Sequence, residues 1–371
     1  MSKRLVLIGG GHAHMVTLGN LRSFVDKGHG VTVIGPSEYH YYSGMGPGML
    51  GMTYTPDDIR FATRKVVERQ GGVFILDAAE RIDPVARKVI LKSGGTVPYD
   101  VLSVNAGSYV PNSLITENRG DIFPVKPIEK LLMARERVLE LCRERHITVG
   151  IVGGGPSSAE IAGNIRQLIE LDGGYQPQII IFAGSSFMKR FPAAVRRRVR
   201  NILRRNGVEI REGEYVREVE TFFVTLESGA REEVDVIFMA VGVKPSPIFA
   251  DSKLAVGPDG GLLVNGFLQA RDYPEIFGGG DCIHFAEKPL DKVGVYAVRE
   301  NPVLFHNLTA AMEGGALQAF DPGGAYLLIF NVGNGEGVLH KYFITFGGKL
   351  AFTIKDYIDR KFMRLFQAME K

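Results

Sequence analysis

Short, wholly apolar runs punctuated by glycine dominate the first two thirds of the chain. Leu5-Val6-Leu7-Ile8 runs straight into Gly9-Gly10-Gly11, which is too short for the apolar stretch of a signal peptide and reads as a buried first strand. Ile179-Ile180-Ile181-Phe182-Ala183 and the run 236–243 have the same length and β-branching, well short of the ~20 residues a membrane-crossing helix requires. Val6-Leu7-Ile8-Gly9-Gly10-Gly11 returns 144 residues later as Gly150-Ile151-Val152-Gly153-Gly154-Gly155. Each copy is followed by a helix-compatible stretch (13–24 and 157–171) and then a second apolar strand (31–34 and 179–182). Strand, glycine turn, helix and strand, twice over, predicts an α/β fold of two doubly wound units with parallel sheets.

Beyond about Leu254 the pattern changes. A Gly278-Gly279-Gly280-Asp281 run ends one strand, and Asn331-Val332-Gly333-Asn334-Gly335 marks a hairpin. In a last helix Ile354, Ile358, Phe362, Leu365, Phe366 and Met369 recur near a 3.6 period. The expected division is a discontinuous first domain (1–118 and 250–325), a second domain (119–249), and a small C-terminal α+β region (326–371).

Composition narrows the function classes. With 371 residues the chain has room for two or three domains, and 45% hydrophobic with 23% charged residues describes an ordinary globular protein. A net charge of +3 is too small for the field of a dedicated nucleic-acid binder, so no nucleic-acid partner is expected. Cys142 and Cys282 are the only cysteines, which excludes a disulfide framework and a four-cysteine metal centre and suits a cytoplasmic location. His12, His14 and His40 lie in glycine-rich sequence but lack metal-ligand spacing, so no metal site is expected.

Glycines in the first turn, Gly9 and Gly11, follow a strand and open a helix, the setting in which backbone can approach a pyrophosphate. His14 stands where close packing usually calls for a third glycine, and the first carboxylate after the second strand, Glu38, comes later than a ribose partner normally does. In the second unit Gly153 and Gly155 precede Pro156-Ser157-Ser158-Ala159-Glu160, with the small Ser158 in the third position. After the strand ending at Phe182-Ala183 no carboxylate appears for many residues. Lys189, Arg190, Arg196, Arg197 and Arg198 do, either as partners for a 2′-phosphate or as a solvated helix face. Asp281 can accept hydrogen bonds from a polyhydroxyl chain, or merely cap a turn.

The two glycine turns, Asn105-Ala106-Gly107, Ala240-Val241-Gly242-Val243-Lys244-Pro245 and Gly279-Gly280-Asp281 together resemble the pyridine nucleotide-disulfide oxidoreductase superfamily over nearly the whole chain. Residues 39–51 and the turn 156–160 resemble its type II NADH:quinone oxidoreductase branch. The narrowest likeness rests on Gly9-Gly10-Gly11-His12-Ala13-His14, Val295-Tyr296-Ala297-Val298-Arg299 and the segment 355–363. These are similar to flavoproteins sometimes fused in front of selenide, water dikinase.

The resemblance implies two Rossmann-like dinucleotide-binding domains, the first for FAD and the second for NADH or NADPH. Gly9, Gly11, His12 and Ala13 would line the FAD pyrophosphate, and Ser37 and Glu38 its adenosine end. Asn105, Ala106 and Gly107 would close that domain; Gly280 and Asp281 would hold the ribitol. Gly46, Pro47 and Tyr296 would lie near the isoalloxazine. Gly153, Gly155, Pro156, Ser157, Ser158 and Gly242 would cradle the nicotinamide dinucleotide, and Glu160 and Lys355 would be the catalytic residues. No cysteine pair follows the first helix, so a thiol–disulfide relay is excluded.

The expected activity is FAD-dependent oxidation of NAD(P)H with a quinone as acceptor. A reductase of selenium or sulfur metabolism and a regulatory flavoprotein with a decayed second site are the alternatives. Lys355, Arg360, Lys361, Arg364 and Lys371 flank the apolar stripe of the last helix, which suits peripheral contact with the inner face of a membrane and equally suits packing on its own core or in a homodimer.

Overall fold

The computed structural model describes residues 1–371. Its frame is a pair of five-stranded parallel sheets that share the order of four strands and differ in the edge strand, which comes last in the chain in one and first in the other. The first runs Ile276–Gly278, Val101–Val104, Arg4–Ile8, Gly30–Gly35, Val73–Leu76. The second runs Ile122–Pro124, Val236–Met239, Thr148–Val152, Gln178–Phe182, Val208–Arg211. Between the fifth strand in line and the return to the sheet, each unit carries a three-stranded antiparallel meander, Ala79–Asp83, Lys88–Leu91 and Thr96–Pro98 in one, Val216–Glu220, Phe223–Leu226 and Arg231–Glu233 in the other. The internal repeat therefore reaches far beyond the glycine motif that reveals it.

The first sheet takes its edge strand Ile276–Gly278 from chain that lies beyond the second unit, so the second unit is an insertion into the first. Ser108–Tyr109 leaving and Lys244–Pro245 returning pair antiparallel where the chain crosses. The two units have separate apolar cores. The short helix Gly46–Leu50 of the first unit contributes Met49 and Leu50 to the core of the second, which fixes residues 39–51 between them.

An antiparallel sheet of Leu328–Asn331, Gly337–Lys341 and Ile344–Gly348 follows, then the helix Lys349–Gln367. That helix straddles the units: Met363 joins the second core and Phe366 the first. No helix is long and apolar enough to cross a membrane.

Three expectations are corrected. The stretch 13–24 is a 3-10 turn His12–His14 followed by two short helices, Met15–Gly19 and Arg22–Val25. Asn20 interrupts them, its side chain donating to the Val16 carbonyl while its own backbone leaves the helical region. The strand predicted over 236–243 stops at Met239, because Gly242 turns the chain at φ +90°. In the last helix Ile358 and Leu365 of the apolar stripe are exposed, and the buried face instead carries Lys355 and Asp359.

Candidate active site

Both glycine turns are held by the same contact. Gly9 (φ +84°) lies so close to the end of strand Val101–Val104 that a Cβ would collide with the Asn105 carbonyl, and Gly153 (φ +130°) lies likewise against the Ala240 carbonyl. His14 and Ser158 explain the missing third glycines. His14 Nδ1 bonds the Gly9 carbonyl at 2.7 Å and Ser158 Oγ donates to the Gly153 carbonyl at 2.6 Å. His14 Nε2 also meets Ser103 Oγ at 2.8 Å, and burial holds the ring down at about 4, so it stays neutral. The second turn leads directly into the helix Pro156–Asp172, whose first-turn amides and positive end suit an anion.

Around the first turn the strand ends deliver a set of enclosed polar groups. Asp281 accepts from Ser108 Oγ (2.7 Å) and Lys126 Nζ (2.8 Å). Burial pushes its carboxyl up, but Lys126 and Ser108 outweigh burial and leave it below the ordinary carboxylate value. Glu300, on the helix Gly294–Glu313, takes the Gly280 amide at 2.5 Å, and burial raises it to about 8. Asn105 Nδ2, His12 Nε2 and Thr63 Oγ1 are buried without a hydrogen-bond partner. Gly11 backs onto the Asn105 amide and Gly280 onto its oxygen side, leaving no room for a side chain at either. Ala13 is buried against Gly279. Ala106 and Gly107 continue the chain from Asn105, Gly107 at φ +66°. Tyr296 packs edge-on to Tyr326 and shares a small hollow with Gly280, Asp281 and Glu300. At the end of the second strand Glu38 is paired with Arg64 (2.6 Å), and Ser37 Oγ accepts the Tyr39 amide.

A second cluster lies where the units meet the last helix. Lys355 Nζ donates to the Gly44 carbonyl (2.7 Å) and to Asp359 Oδ2 (2.5 Å), and Tyr42 donates its hydroxyl to Asp359 Oδ1 (3.0 Å). Lys355 is 8% exposed and Asp359 4%, so Lys355 is no solvated surface lysine. Glu160, in the first turns of Pro156–Asp172, accepts the Asn331 amide at 2.9 Å through Oε1. Burial lifts Glu160 to about 7, against the pull of Lys355 and the Asn331 amide. Burial also raises Asp359, only partly offset by Lys355 and Tyr42. Gly46 packs on Ile128, and Pro47 is buried in the adjoining helix. His12 stands beside this cluster, its ring stacked on Phe362 and against His40 and Tyr42. Burial keeps His12 near 4 and His40 near 3, both neutral.

Sequence reasoning brings Glu160 and Lys355 to one place, and the structure adds Asp359, Tyr42 and Asn331 to them, and Lys126, Ser108 and Glu300 to the first turn. Asp359 had a signal, an opposite charge four residues from Lys355 on one helix. The others come from distant chain and had none. Pro156 and the exposed Ser157 open the helix that carries Glu160, and Gly242 is an exposed turn residue at φ +90°. The cysteines sit in different cores, and burial raises Cys142 to about 11 and Cys282 to about 12. No group of three His, Cys, Asp or Glu side chains is placed to hold a metal ion.

Ferroptosis suppressor protein 1 of Taeniopygia guttata is 27% identical over 288 residues, covering 74% of this chain and 72% of that protein. The type II NADH:quinone oxidoreductase of Staphylococcus saprophyticus is 24% identical over 389 aligned residues, 97% of this chain and 94% of its own. The sulfide:quinone oxidoreductase of Aquifex aeolicus superposes with a TM-score of 0.80 at 18% identity, covering 99% of this chain and 92% of the other, a likeness of fold. Residues 3–312 match the profile of the pyridine nucleotide-disulphide oxidoreductases, and the chain belongs to that family of FAD- and NAD(P)H-dependent enzymes.

Proposed function

We propose that the protein oxidises NAD(P)H and delivers the electrons to a quinone, with FAD held by the first unit and the nicotinamide dinucleotide by the second. The observation that carries this reading is one cluster, the buried pair Lys355 and Asp359 with the half-buried Glu160 and Tyr42, assembled from both units and the last helix. The first turn fits a flavin dinucleotide. It offers glycine walls at Gly9, Gly11 and Gly280, unpartnered donors on Asn105, His12 and Thr63, and an ionised Asp281 for hydroxyl groups. Ala13, Ala106, Gly107, Ser37, Glu38 and Tyr296 extend that surface, and Gly46 and Pro47, beside the Lys355 cluster, would back the isoalloxazine. Gly153, Gly155, Pro156, Ser157, Ser158 and Gly242 do the same for the nicotinamide partner. FAD, when bound, supplies the acceptance of a hydride and the onward transfer of two electrons.

The chain supplies position and protons. Glu160 Oε1 is occupied by the Asn331 amide, so in its neutral form the proton sits on Oε2, and a value of about 7 keeps both forms populated at neutral pH. Two N–H groups of Lys355 are spent on Gly44 and Asp359, leaving the third to face a ligand. The acceptor reading draws on the Staphylococcus relative, a type II NADH:quinone oxidoreductase. It also draws on an exposed apolar surface at the C-terminal region. Tyr342, Phe343 (93% exposed) and Ile344 cap the last hairpin, and Leu350, Tyr357 and Leu365 (63%) line the helix beside it, among Lys341, Lys349, Lys361 and Arg364. Such a face suits contact with an anionic membrane that holds a lipid-soluble quinone. Steady-state assays with a soluble quinone test the reading: NAD(P)H-dependent quinone reduction supports it, and flavin reduction without transfer to any quinone rejects the acceptor.

A further inference from the structure

We propose that the second glycine turn selects NADPH over NADH through the loop 183–190, an inference that rests on that turn being the nicotinamide dinucleotide site. In dinucleotide units an acidic residue near the end of the second strand takes the ribose diol of NAD, and a cation there accommodates the 2′-phosphate of NADP. Here the strand Gln178–Phe182 ends in Ala183-Gly184-Ser185-Ser186, with no carboxylate. The loop is fixed over the cradle. Met188 N donates to the Gly154 carbonyl at 2.6 Å, a Cβ on Gly154 would collide with the Ala183 carbonyl, and Gly213 N donates to the Gly184 carbonyl at 2.8 Å.

Glu212, which accepts the loop's own Phe187 amide, does not fill the acidic role. Its oxygens take Arg200 Nη1 and Nη2 (2.5 and 2.9 Å) and that amide (2.7 Å). Glu214 is committed to the Ser228 amide, and Arg211 is held between Glu209 and Glu232. What stays free is cationic and hydroxylic. Ser185, Lys189 and Arg190 are exposed on the loop, and neither Lys189 nor Arg190 makes an ion pair. Arg196, in the first turn of the helix Ala193–Arg205, buries Nε without a partner. One free hydroxyl, on Ser185, and unpaired guanidinium and ammonium groups suit a phosphate dianion and provide no carboxylate to accept from the hydroxyls of a bare diol.

The test is equilibrium binding of NADP+ and NAD+ to the purified flavoprotein by calorimetry, alongside anaerobic flavin reduction by NADPH and NADH. NADP+ is expected to bind at least about tenfold tighter at low salt, with the gap narrowing as salt rises. Lys189→Ala with Arg190→Ala should erase most of that gap, and Ala183→Glu should shift preference toward NAD+. Equal or tighter binding of NAD+, or an unchanged ratio in the double variant, overturns the proposal. Tighter NADP+ binding with no flavin reduction by either nucleotide would sustain the selection and reject the oxidoreductase reading. Binding of neither would reject both.

Discussion

Lys355 and Asp359 face each other at 2.5 Å one turn apart on the last helix, enclosed between the Gly44 carbonyl and the Tyr42 hydroxyl. Removing one member of such a pair leaves a buried charge uncompensated, at a cost of about 3–5 kcal/mol, whereas replacing both by apolar groups is often neutral. Lys355→Met should therefore lower the denaturant midpoint far more than Lys355→Met combined with Asp359→Leu. Both variants should lose turnover. Equal destabilisation by the single and double changes would show that the pair does not act as a unit.

Glu160 ties stability to pH. Its folded value of about 7 lies above the ordinary 4.5, so the folded state binds the proton more tightly than the unfolded one. The stability this contributes is complete below pH 4.5 and is lost as pH rises to about 7. Glu300 acts in the same direction, up to about 8. Glu160→Gln should flatten the decline between these limits and slow flavin reduction while the protein keeps its FAD. Denaturant midpoints at several pH values report the first effect, and an unaltered pH slope would assign the proton elsewhere.

The duplicated turns should separate under the same substitution. Gly153→Ala places a methyl against the Ala240 carbonyl at a φ that favours glycine, with strain of roughly 1–3 kcal/mol. The variant should remain yellow but lose nicotinamide binding. Gly9→Ala, colliding with the Asn105 carbonyl, should lose FAD instead. Absorbance of the purified proteins and nucleotide titrations distinguish them; loss of flavin from Gly153→Ala alone would reverse the assignment of the two units.

Asp281→Ala removes the acceptor for Lys126 and Ser108 and leaves that ammonium without its ion-pair partner. The purified variant should be colourless or nearly so, with Lys126→Met less affected because the carboxylate survives. Full retention of flavin in Asp281→Ala would remove it from the cofactor site.

Sedimentation with vesicles containing anionic lipid addresses the exposed face. Phe343→Ser with Leu365→Ser should reduce the bound fraction at least about fivefold without changing turnover on a soluble quinone. An undiminished bound fraction would move membrane contact elsewhere on the surface.

Much of the frame was legible because parallel strands buried on both faces are short apolar runs, and glycine must stand where a turn lies against a neighbouring carbonyl. Gly9 and Gly153 announced both units. The helix after Gly11 was misread because its apolar spacing persists through the break at Asn20, where a side-chain bond to the backbone outcompetes the helix. The last helix misled in another way. Ile358 and Leu365 of its apolar stripe face outward although Phe366 is buried, while Lys355 and Asp359 neutralise each other inside, a pairing that hydrophobic periodicity does not register. Lys126, Ser108 and Asp281 meet only through the fold, from chain 18 to 173 residues apart.

The most direct measurement mixes the purified yellow protein anaerobically with NADPH and with NADH and follows the flavin band near 450 nm (roughly the usual position for such a cofactor). Rapid bleaching by at least one nucleotide, slowed in Glu160→Gln, is the predicted result. A band left unchanged by both, in protein that carries its full complement of FAD, would contradict hydride transfer at this site.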